Sequence, residues 1–233
     1  MVNKVYLTYY IRKEKIMEKE KNIKFKEVVG LLNKENFSKG IDELIKFRQS
    51  MFDEISEIVF KYPIDIFSKM PFAGKDGYHS KSIAYSIYHI FRIEDIVAHE
   101  LINKDEQVLF KNDFIKRINT PIITTGNELN SEEILEFSKK INIFELYEYA
   151  KMVMNSTNEI LKGLSFSDSK QKFSESDKEH LIKTGCVSEK ESAIWLIDYW
   201  CNKDVLGLIK MPFSRHWIMH IDAMEKIKNK LCK

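Results

Sequence analysis

The segment 214–224, SRHWIMHIDAM, decides how the rest of the chain is read. It carries His216 and His220, separated by Trp217, Ile218 and Met219. At about 100° per residue the second ring lies about 40° from the first, so both project from one side of a helix. Val205, Ile209, Phe213, Trp217, Ala223, Met224, Ile227 and Leu231 fall in the same apolar arc. Both imidazoles therefore sit inside the stripe that a helix buries, away from its solvent face. A buried imidazole without partners loses its hydrogen bonds to water, at a cost of about 1–3 kcal/mol. Two of them one turn apart call for a common explanation, and an i, i+4 pair gripping one metal ion supplies it. The competing explanation is that each ring is satisfied separately by a carboxylate or carbonyl. Trp217 stands where HExxH proteases carry their glutamate base, which argues against that class.

Working outward, the chain has 233 residues, enough for one large domain or one domain with embellishments. Apolar residues make up 44%, so a sizeable core is available. With 37 basic and 35 acidic residues there is no charge excess of the kind that marks a nucleic-acid binder. No apolar run is long enough for a membrane span, and no signal-peptide pattern is visible. Cys186, Cys201 and Cys232 are odd in number and form no CxxC pair, which points to a reducing cytoplasm. Only 8 Gly and 4 Pro favour long helices over a turn-rich sandwich.

Residues 1–30 read as an N-terminal extension, expected as a poorly ordered arm, although VYLTYYI fits a short strand or a helix. From Glu35 a helical period sets in through Phe37, Ile41, Leu44, Ile45, Met51, Phe52, Ile55 and Ile58, with Asn36 or Ser38 as candidate cap. After the loop PFAGKDGYHS a second helix is predicted from about Ser80 to Asn103. Residues 104–130 read as a long connection. A third helical region spans about 131–163 with a break near Asn142, and short pieces follow at 177–184 and 188–198. The last helix is predicted from about Asn202 to Leu231, with a kink or restart at Pro212. The pattern gives an all-α fold, a four-helix bundle at 31–233 with a long connection after helix two and extra short helices.

A metal site needs a third ligand. His89, in SIYHIFRIEDIVAHEL, lies to one side of the main apolar face of helix two, from where it can reach a neighbouring helix. Glu94 lies at the centre of that face, where a carboxylate is costly unless paired. It is a candidate to orient a ligand histidine from the second shell, or to pair with Arg92 or Arg215. His79, His99 and His180 read as surface residues. Tyr85, Tyr199, Trp200 and Trp217 are candidates to line a pocket, and Asp198–Tyr199 to support the site. No ExxH step precedes any histidine, which argues against a di-iron carboxylate protein.

A histidine in helix two (IYHIFRIEDI), an HxxxH pair in the last helix (RHWIMH) and the long connection together resemble the DinB/YfiT-like superfamily of metal-dependent enzymes. The likeness covers about residues 37–231 and rests on the order of His89, Glu94, His216 and His220. It implies that His89, His216 and His220 bind one divalent metal, zinc or nickel foremost, with iron or manganese as further candidates. It also implies a homodimer and a small-molecule substrate, with a low-molecular-weight thiol as partner in transfer or isomerisation, or hydrolysis instead. The N-terminal extension and an insertion at about 165–200 depart from shorter members, so no particular substrate is inherited. The alternative is a non-enzymatic helical bundle that binds a small ligand or a partner and uses its histidines structurally.

Overall fold

Four amphipathic stretches, each with apolar residues every three or four positions, define the architecture of this computed structural model, which describes residues 4–232 and the side chains of 18–232. They form the helices α2 (Phe37–Lys61), α3 (Ile83–Ile96), α7 (Ile143–Gly163) and α11 (His216–Leu231). Around them stand α1 (Lys4–Leu31), α4 (Val108–Lys111), α5 (Phe114–Ile118), α6 (Ser131–Lys140), α8 (Glu175–Thr184), α9 (Glu191–Cys201) and α10 (Val205–Lys210). The protein is all-α, and the described residues contain no strand beyond one isolated bridge between Lys172 and Asp204. No helix among them is long and apolar enough to cross a membrane.

Contacts run α2 to α7, α7 to α3, α3 to α11 and α11 back to α2, closing one ring of four helices around a common core. α3 is the innermost: every residue from Ile83 to Ile96 is buried. Periodicity gave this helix one apolar face, but none of its faces meets solvent. With α6 and α4 also packed on it, α3 has no solvent side. Arg92 and Asp95 are buried, and so is His99, which was expected at the surface. Arg92 donates from Nε to the Ile123 carbonyl at 2.7 Å. Asp95 accepts from the backbone N–H groups of Val108 and Leu109 and from the Tyr149 hydroxyl at 2.8, 3.0 and 2.9 Å. These bonds stitch the 104–130 connection onto the bundle, and that connection contains α4 and α5 where the sequence suggested no helix.

Local chemistry sets the helix ends. Ser82 caps α3 by accepting from the Tyr85 N–H at 3.0 Å. Asn142, at the expected break, ends one helical region and caps the next by accepting from Phe144 and Glu145. Asn36 holds the position before α2, but its side chain makes no capping bond; Asn33 accepts from the backbone of Glu35 and Asn36 instead. Two π-helical turns, Val97–Asn103 and Met211–Arg215, extend α3 and join α10 to α11. Pro212, without an N–H to give, lies in the second, so the expected kink takes the form of a widened turn leading straight into His216. The N-terminal part, left open between strand and helix, is helical from Lys4 to Leu31 and packs on α2 and α11. Residues 1–3 of the expected extension lie outside the described ones.

Candidate metal centre

α3 and α11 lie side by side, and their contact brings His89 to His216 and His220. Ring centroids are 5.0 Å apart for His89–His216, 4.9 Å for His89–His220 and 4.6 Å for His216–His220. One ring nitrogen from each lies within 4.8 Å of the others, and all three side chains are buried. Nitrogens about 2.0–2.1 Å from a tetrahedral ion stand roughly 3.3 Å apart, so small side-chain shifts close the set. The three-histidine cluster read from the sequence is thus assembled in space.

The rings differ in their partners. His89 Nδ1 faces the Thr125 carbonyl at 2.8 Å. A carbonyl only accepts, so Nδ1 carries the proton and Nε2 is left with its lone pair for a ligand. Tyr85 stacks on the ring at 5.4 Å and 11° and donates its hydroxyl to the Gly126 carbonyl at 3.1 Å, holding both the ring and the loop behind it. On the other side His216 Nδ1 and both nitrogens of His220 are buried and have no hydrogen-bond partner among the described residues. Tyr78 meets the His220 ring edge to face at 4.8 Å, a contact that satisfies neither nitrogen.

Burial keeps all three rings neutral. His89 is lowered to about 4, chiefly by desolvation and opposed by its bond to Thr125. His216 and His220 lie well below the usual histidine range, again by burial first and then by neighbouring imidazoles. Neutral imidazole is the form that binds a metal. Three nitrogen donors, three orphaned buried nitrogens and one ring with its tautomer fixed from behind fit a divalent cation well.

Glu94, fully buried, does not pair with Arg92 or Arg215. Its partner is Arg48 of α2, whose two terminal nitrogens reach its two oxygens at 3.0 and 2.6 Å. Trp217 Nε1 donates to Glu94 at 2.9 Å, and Arg48 also donates to Asn158 Oδ1 and to the Phe213 carbonyl. The guanidinium lies over the Trp217 ring, 4.5 Å from its centroid. Glu94 therefore fixes the residue between the two histidines through Trp217, and its own bonds run to Arg48 and Trp217. Arg48 escaped the sequence reading although a signal was there: it falls in the same stripe as Leu44, Met51 and Phe52, an odd place for a lone cation.

His89 and His216 open onto a cavity of about 310 Å³. Tyr199 and Trp200 line it, as the sequence suggested, together with Tyr78, Asn127 and Trp195. Tyr85 and Trp217 are packed elsewhere, and Asp198 faces outward in an ion pair with Lys178 at 2.7 Å. Of the remaining histidines, His99 is buried between Asp105, at 2.5 Å, and the Ser156 hydroxyl, at 3.1 Å, contrary to its expected surface place. His180 is exposed and meets Glu100, while half-buried His79 packs against Phe72. No known protein-family model matches this chain, and no curated protein matches it either.

Proposed function

We propose that His89, His216 and His220 hold one divalent metal ion at the inner end of the cavity, as the centre of a DinB-like enzyme acting on a small molecule. The observation that carries this reading is the set of orphaned nitrogens on His216 and His220 facing a His89 whose tautomer is already set. Buried polar atoms left unpaired are costly, at about 1–3 kcal/mol each, and a cation takes up one nitrogen of each ring. Zinc and nickel suit such a donor set best; iron and manganese also accept imidazole. When bound, an ion with three imidazole ligands and an open position supplies Lewis acidity that makes water or a thiol nucleophilic near neutral pH.

The chain's own residues support transfer, isomerisation or hydrolysis in definite ways. Thr125 holds the His89 proton away from the cluster. Glu94 and Arg48 lock Trp217 and with it the pitch of the helical turn between His216 and His220. His89 and His216 line the cavity, so a ligand entering it meets the cluster directly. A low-molecular-weight thiol as co-substrate and a homodimeric assembly complete the proposal, both on the strength of the resemblance.

Metal analysis of protein purified without a histidine tag tests it. About one equivalent per chain is expected, falling below about a tenth in His216→Ala and His220→Ala. Under a tenth of an equivalent in the parent protein, unchanged by either substitution, would sink the reading.

A further inference from the structure

The cavity beside the cluster is walled by rings and carries no formal charge. None of the described residues lining it is Asp, Glu, Lys or Arg. Trp195 and Tyr199 stand one turn apart on α9, their rings 5.6 Å apart at 72°. Trp200 follows on the buried side, and Tyr78 joins the lining next to His220. Trp195 is 48% exposed and Tyr78 46%. Large rings left open to solvent in this way forgo burial that a ligand between them would restore. Asn127 is the one amide in the lining. Its Oδ1 accepts from the Thr125 hydroxyl at 2.9 Å, and its side-chain nitrogen has no acceptor among the described residues.

The geometry points to a neutral, planar aromatic molecule of one or two rings as the ligand of this cavity, carrying a hydrogen-bond acceptor for Asn127. Size agrees, since 310 Å³ lies at the small end of ligand sites, which span about 300–1,000 Å³. A carboxylate ligand finds no cationic side chain in these walls. A quaternary ammonium would suit the rings but finds no carboxylate in the lining to balance its charge. The inference rests on the proposed centre only in taking this cavity as the route to it; the preference of the rings is a separate property.

Benzyl alcohol, benzoate and benzyltrimethylammonium share one ring and differ in charge. Each is titrated calorimetrically into the tag-free protein as purified, and again after dialysis against a chelator. In the chelated protein benzyl alcohol is expected to bind at least about tenfold more tightly than either ion, and Trp195→Ala to weaken it about tenfold. Trp195 is half exposed, so its truncation spares the core. Tightest binding of benzyltrimethylammonium would make the rings an ammonium cage and overturn the inference. So would tightest binding of benzoate in the chelated protein, no measurable binding of any of the three, or indifference to Trp195→Ala. Metal absent with the benzyl alcohol preference intact defeats the metal proposal alone; metal present without the preference defeats this one alone.

Discussion

At the scale of single residues, the cluster trades stability for a site. His220 is buried with both nitrogens unpaired, so an apolar residue of similar size is better tolerated in the absence of metal. His220→Leu should lose the metal yet unfold later than chelator-treated parent protein, by about 1–3 kcal/mol in a urea titration. The same burial sets a pH dependence. In the unfolded chain the histidines titrate near 6.5, whereas burial holds folded His89 to about 4 and the other two well below the usual range. Between these values the unfolded state binds more protons, so stability falls as pH drops from about 6.5 towards 4 and is level in this respect above 6.5. Urea midpoints of chelated protein across that range check it, and the slope should flatten in His220→Leu. The Arg48–Glu94 pair behaves differently. Both side chains are fully buried, so Glu94→Gln strands a guanidinium in the core. A loss of about 3–5 kcal/mol is expected on chemical denaturation.

Among elements, the contact of α1 with α2 and α11 turns on one ammonium. Lys21 Nζ lies 2.8 Å from Glu54 of α2 and 2.7 Å from Asp222 of α11. Burial raises both carboxylates above their usual range, and Lys21 opposes that rise. Lys21→Met leaves two half-buried carboxylates without their counter-ion. The variant should lose about 1–3 kcal/mol near pH 7.5 and recover part of it near pH 5, where the carboxylates can take up protons. Denaturation midpoints at the two pH values decide it; an equal loss at both would show that Lys21 contributes through packing alone. The two π-helical turns belong to this scale as well. His99 lies inside the first, and His216 follows directly on the second after Pro212. His99 read as a surface residue because its position on the wheel matches Arg92 and Asp95, a polar face that the fold covers entirely.

For the whole molecule, what sequence could tell depended on separation along the chain. The long helices, the break at Asn142 and the pair His216–His220 follow from periodicity and punctuation over a few residues, and all are present. His89 needed the step of placing helix two against the last helix, and the structure makes that contact. The partner of Glu94 lies 46 residues upstream, and the acceptor for His89 lies 36 residues downstream. Nothing local announces either, because both arise only when the helices close. The cavity walls were half legible: Tyr199 and Trp200 stood out by ring size, whereas Tyr78 comes from a single 3-10 turn and Asn127 from a loop, neither of which a wheel describes.

The bond from His89 to Thr125 has a consequence for how this site can change by mutation. Its acceptor belongs to the main chain, so no replacement of the Thr125 side chain deletes it. The exposure to mutation passes to the next residue. Gly126 has φ +80°, and a Cβ there would stand 2.9 Å from Tyr85 Cε2, the ring that backs His89. A change of the Thr125 side chain therefore leaves the acceptor atom in place, while a single methyl group at Gly126 would reach the imidazole through Tyr85. The vulnerable genetic locus of the centre is a residue with no side chain and no ligand atom.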